Sequence, residues 1–91
     1  MQHTLKGDND RNVWLDGKKL DPGPSQKVYN HSPDGFNWGY GGSGPAQFAL
    51  AIILKLTGRD AGYQAFKWDV IARIPQGPFT MTFEYPIINM L

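Results

Sequence analysis

Residues 30–58 read NHSPDGFNWGYGGSGPAQFALAIILKLTG, and how that stretch is read decides the fold. Its first half is turn chemistry and aromatics; its second half is the most apolar run in the chain. The helix is expected to begin at Pro45, where a missing N–H costs nothing, with Ser43 or Gly44 as cap. Phe48, Ile52 and Leu56 form one stripe, Ala49 and Ile53 a second, Leu50 and Leu54 a third. A helix apolar on nearly every side is a central one, covered by a sheet and by another helix. Gly58 is placed to end it in the left-handed conformation.

Upstream, His31-Ser32-Pro33-Asp34-Gly35 is a compact turn. Phe36-Asn37-Trp38-Gly39-Tyr40 alternates large aromatics with small or polar residues, which predicts a strand with three aromatics on one face. Farther back, Asp16-Gly17 joins two short strand-like pieces, Val13–Leu15 and Lys18–Leu20, as a hairpin. His3–Lys6 suits a short strand. Asp21-Pro22-Gly23-Pro24 reads as a connector, with extended structure resuming at Lys27–Tyr29.

Downstream, residues 60–74 form an amphipathic second helix. Tyr63, Phe66, Val70, Ile71 and Ile74 face inward, Arg59, Gln64, Lys67 and Arg73 outward, and Pro75 stops it. Phe79–Phe83 alternates again as a strand. The order of strands, two helices and a strand predicts one α+β domain over residues 1–91, a small antiparallel sheet packed on a two-helix hairpin.

Composition narrows the function classes. The 91 residues carry a net charge of +1 and contain no basic run, against the clustered Lys and Arg of a nucleic-acid footprint. Cysteine is absent, which removes disulfides and thiolate metal sites. The N-terminus has no apolar signal-peptide core, and Phe48–Leu54 is far short of the ~20 residues that span a bilayer. A soluble cytoplasmic protein without membrane contact is expected.

Gly39-Tyr40-Gly41-Gly42-Ser43-Gly44 satisfies G-x-G-x-x-G and opens a helix, where free N–H groups and the helix dipole favour an anion. A dinucleotide fold does not follow, because the helix leads into another helix and no parallel strand. A tight bend in which side chains would collide explains the same glycines. His31, Ser32 and Asp34 have the residue types of a hydrolase triad, but sequence neighbours rarely have triad geometry, and no nucleophile elbow is present. With His3 the only other histidine, zinc is not indicated. Neither an enzyme nor a cofactor is called for.

The run NHSPDGFNWGYGGSGPAQFALAI resembles the signature of a family of small uncharacterised bacterial, archaeal and phage proteins, a domain of unknown function. Similarity extends to Val13-Trp14-Leu15-Asp16-Gly17, Tyr63–Lys67 and Ile71–Pro75. The resemblance implies a compact, often virus-borne domain and assigns no catalytic residue.

Two functions are therefore expected. In the first, the domain binds a small phosphorylated or nucleotide-like ligand: Gly41, Gly42, Ser43 and Gly44 hold the anion, Trp38 or Tyr40 stacks, and His31 or Asn37 orients. A phage protein of this kind would sequester a host signalling nucleotide in the host cytoplasm. In the second, the glycine bend is structural and the domain meets a host protein or another copy of itself. Trp68, off the core stripe of its helix, and the apolar end with Ile88 and Leu91 then form the interface.

Overall fold

A computed structural model describes residues 1–86. Four antiparallel strands, β1 (Gln2–Gly7), β2 (Val13–Leu15), β3 (Lys18–Lys19) and β4 (Phe79–Glu84), form one sheet in the order β3-β2-β1-β4. Helices α1 (Gly23–Val28), α2 (Ser43–Thr57) and α3 (Tyr63–Asp69), with a 3-10 turn at Ile71–Arg73, complete a small α+β fold.

Period-two alternation sorts the sheet. Leu5, Val13, Leu15 and Phe83 are buried, while Thr4, Lys6, Thr80, Thr82 and Glu84 are exposed. Asp16 and Gly17 both have positive φ, as the Asp-Gly hairpin requires. The solvent face carries a cross-strand row of Lys19, Trp14, Lys6 and Thr80, with the Lys6 ammonium 5.6 Å from the Trp14 ring centroid.

α2 is central, as its all-round apolarity predicts. Every residue from Gly44 to Ile53 is buried, and Gly58 closes the helix with φ 75°. Its start differs from expectation. The helix begins at Ser43, Gly42 occupies the cap position, and neither Ser43 nor Gly44 supplies a capping bond. Pro45 falls inside the first turn, where its missing N–H had no intrahelical partner in any case.

Residues 36–40 do not form a strand. Gly39 has φ 84° and turns the chain, so Phe36, Trp38 and Tyr40 cannot share a face: the first two are buried and Tyr40 is exposed. Residues 23–28, read as connector and extended chain, form α1; Pro24 sits at the helix start, where proline's fixed φ suits the turn. The second predicted helix is shorter than 60–74, breaking at Val70 (φ −123°, ψ −60°) before the 3-10 turn. Lys67, expected outward, is buried, its ammonium 4.4 Å from the Trp68 ring centroid.

The one fully buried polar side chain on α2 ties these layers together. The Gln47 amide accepts the main-chain N–H of His31 (2.7 Å) and of Ser32 (2.9 Å). It donates to Ser25 Oγ (2.9 Å) and to the Tyr29 carbonyl (3.1 Å). All four capacities of the amide are used, and the 29–32 segment and α1 are pinned to α2.

Candidate functional site at the start of α2

Two turns far apart in sequence meet at the first turn of α2. One joins β1 to β2: the Asp8 carboxylate accepts the N–H groups of Asp10 and Asn12, each at 2.9 Å, and the Asn12 side chain at 3.2 Å. Desolvation is the largest single influence and raises the Asp8 carboxyl, but these hydrogen bonds and the Lys19 ammonium together hold it below the usual carboxylate range. The turn places Arg11, at φ 67°, with its guanidinium 4.9 Å from the Trp38 ring centroid. The other turn is residues 31–35, held by Gln47 at one end and by the Gln26 amide donating to the Ser32 carbonyl (2.8 Å).

Between them lies a cleft of about 400 Å³, bordered by Asp10, Arg11, Ser32, Asp34, Asn37, Tyr40, Ser43 and Gly44. It shares Asp10, Arg11, Asp34, Gly35 and Phe36 with a second hollow of about 540 Å³ that runs on toward Lys19 and Asp21. Its lining is polar and includes one arginine and two aspartates. The N–H groups of Ser43 and Gly44 have no main-chain acceptor among the described residues, as expected of a first helical turn.

Of the residues proposed from sequence, Asn37, Tyr40, Ser43 and Gly44 border this cleft. The others do not. Trp38 is fully buried, donates from Nε1 to the Gly77 carbonyl (2.9 Å), and packs on Phe48 and Phe79, so it is core and offers no stacking face. His31 turns away: Nε2 hydrogen-bonds the Tyr63 hydroxyl (2.8 Å), and Tyr29 stacks on its ring at 4.2 Å. Burial first, then the Lys67 ammonium, pushes the His31 pKa below the usual histidine range.

The glycines have their own packing reasons. The Trp68 ring lies where a side chain on Gly41 would go, and the Tyr40 ring where one on Gly42 would go. A Cβ on Gly44 would stand 2.6 Å from Asn37 Cβ and 3.2 Å from its main-chain nitrogen. Trp68 is 57% exposed, so its position off the core stripe is as read from sequence, yet one edge rests on Gly41. Ile88 and Leu91 lie outside the described residues.

Sequence reasoning missed Asp10, Arg11, Ser32 and Asp34 as cleft residues, because only the fold brings the 8–12 and 31–35 turns together. The model of a family described as "Family of unknown function (DUF6166)" matches residues 3–85. The chain belongs to this family. No match is found among curated proteins or among solved structures. The matched span takes in every element of the DUF6166 fold described above, apart from Gln2 at the start of β1, and all residues of the cleft.

Among the described residues no helix is long and apolar enough to cross a membrane.

Proposed function

We propose that the cleft at the start of α2 binds a small phosphorylated or nucleotide-like ligand without transforming it. The observation that carries this reading is the pair of unaccepted N–H groups, Ser43 and Gly44, bordering a polar cleft that Arg11 also lines. A phosphoryl group satisfies those donors and gains from the helix dipole and from Arg11. Asp10 and Asp34 repel a second anionic group. They suit the hydroxyl or amino groups of the same ligand, which selects a compound with one compact anion and several donors. Tyr40, 42% exposed, offers a ring for stacking. In a phage-borne chain such a binder would sequester a host signalling nucleotide.

A thermal-shift screen against nucleotides, cyclic and linear dinucleotides, ADP-ribose derivatives and inorganic phosphate tests this. A ligand at a hundred times its Kd raises Tm by roughly ten degrees or more for a domain of this size. The absence of any shift across the panel contradicts the reading.

A second reading, a protein-interaction module, is favoured by the packing of Gly41 and Gly42 under aromatic rings and by the exposure of Trp68 and Tyr29. Exposed Trp and Tyr are common anchors of interfaces. Under it Trp68→Ala abolishes partner binding while ligand shifts are absent.

A further inference from the structure

The two edges of the sheet are built differently. β3 is two residues long, and both are exposed lysines, Lys18 and Lys19. A short, positively charged strand is a standard defence against unwanted strand pairing. β4, the opposite edge, is six residues, FTMTFE, with no proline, no lysine and regular alternation. It carries none of these defences except a single acid, Glu84.

The register fixes which main-chain groups the β4 edge presents. Tyr85 N–H donates to the Met1 carbonyl (3.0 Å), and β4 pairs with β1 residue for residue from Gln2↔Glu84 to Gly7↔Phe79. Alternation then points the N–H and C=O of Phe79, Met81 and Phe83 toward β1. The N–H and C=O of Thr80, Thr82 and Glu84 point away from β1, to a side where they meet no main-chain partner among the described residues. The Asp16 N–H donating to the Thr4 carbonyl (2.8 Å) agrees, since Thr4 must face β2 and so turn away from Thr82.

We propose that this edge pairs antiparallel with the β4 of a second copy of the chain, about a two-fold axis at Thr82. One register pairs all three open residues: Thr82 with the partner's Thr82, Thr80 with the partner's Glu84, and Glu84 with the partner's Thr80. Each pair exchanges both of its main-chain hydrogen bonds.

Charge supports the same register. On the solvent face Thr80 is the cross-strand neighbour of Lys6. The partner's Glu84 therefore sits two strands from Lys6, about 9.6 Å between Cα atoms at the usual strand spacing. Within one chain Glu84 pairs with the exposed Met1 ammonium (3.0 Å) and Lys6 lies over Trp14, so both exposed side chains turn to meet across the seam. Symmetry makes this contact twice, and no like charges face one another. At the axis, two threonines form a favourable cross-strand pair.

The core-side face is complementary as well. Phe79 and Met81 are half-buried beside an apolar groove of about 420 Å³ whose far wall is Val70, Ile74 and Pro75. In the proposed register the partner's Tyr85 lies opposite Phe79, and the partner's Phe83 opposite Met81. Phe83 is buried and both rings pack on Phe66 of their own chain, so the second copy continues the apolar face past the groove rather than filling it. This surface lies on the other side of the molecule's sheet order from β3 and uses none of the cleft residues, so it stands independently of ligand binding.

Sedimentation equilibrium of the 91-residue chain over a wide concentration range tests the proposal, with amide exchange read at Thr80, Thr82 and Glu84. The expected result is a mass that doubles with concentration, with these three amides slowing as the dimer forms. Thr82→Pro removes a donor that β1 does not use, and proline is tolerated on an open edge, so the fold is kept and the dimer is lost. Thr82→Lys places two ammonium groups face to face at the axis. It gives a monomer at low salt and recovers part of the dimer at high salt. A wild-type chain that stays monomeric overturns the proposal, whether the edge amides exchange quickly or are protected by residues of the same chain after Pro86. A dimer that survives both substitutions overturns it too.

Discussion

At the start of α2 the surface is a hollow bordered by an arginine, two aspartates, an asparagine and the first N–H groups of a helix. Along β4 it is a straight row of main-chain donors and acceptors above an apolar groove. Both are open, and both expose hydrogen-bonding backbone, but the geometry of that backbone differs. Converging helix donors suit a compact anion. Alternating strand groups suit another strand. The same main-chain chemistry is turned to different partners by the curvature of the element that carries it.

Substitutions can separate the two regions. The largest effect is expected from Gln47→Ala. It removes the only partner of the Ser32 N–H among the described residues. The His31 N–H and the Tyr29 carbonyl keep each other (3.2 Å), and Ser25 Oγ still donates to the Pro22 carbonyl (2.7 Å), so each of these loses one of two partners. One buried unmet donor costs about 1–3 kcal/mol, and the cavity left by the fully buried side chain adds to it, so a loss of about 3 kcal/mol is expected in chemical denaturation. Ligand shifts should vanish with the 31–35 wall of the cleft, while the β4 edge keeps its geometry. An unchanged midpoint would mean that this amide does not hold the loop.

Gly44→Ala should cost about 1–2 kcal/mol. The added methyl meets Asn37 Cβ and its main-chain nitrogen, which outweighs the helix-propensity gain of alanine. By pushing residue 37 it alters the cleft alone. Gly58→Ala makes a useful contrast: its site is open, so only the left-handed φ of 75° opposes the methyl.

A smaller effect separates the regions by pH. The folded pKa of His31 lies below its unfolded value, so between the two the unfolded chain binds more protons and stability rises with pH. The contribution of neutral His31 is complete above about 6.5 and is lost as pH falls from there through the folded value. Denaturation midpoints measured on either side of pH 6.5 should show this slope, and His31→Gln should remove it.

Much of this fold is legible in the residues. The all-round apolar run of α2, the Asp-Gly hairpin and the alternation of Phe79–Phe83 each carry a period that only one element satisfies. The failures share a cause. At 36–40 the alternation is real, but one left-handed glycine, Gly39, breaks the direction that alternation assumes. At 21–24 two prolines read as breakers, yet one of them starts α1. Four of the ten residues bordering the cleft, Asn37, Tyr40, Ser43 and Gly44, are legible in the sequence at and just before the helix start. The rest, Asp10 and Arg11 from one turn and Ser32, Asp34, Gly35 and Phe36 from the other, comes from segments whose meeting is a tertiary fact. The open edge of β4 is likewise set by strand order, for which the local pattern holds no signal beyond the contrast of Lys18-Lys19 with FTMTFE.

Ser43→Asp tests the central claim most directly. Ser43 is exposed in the first turn of α2, and a carboxylate there is stabilised by the helix dipole by about 0.3–1 kcal/mol, so the fold is kept or strengthened. The same carboxylate occupies the place assigned to the ligand's anion. Calorimetric titration of wild type and Ser43→Asp with the compound giving the largest thermal shift should show binding in the first and none in the second. Equal affinity in both would contradict a phosphoryl site at the start of α2.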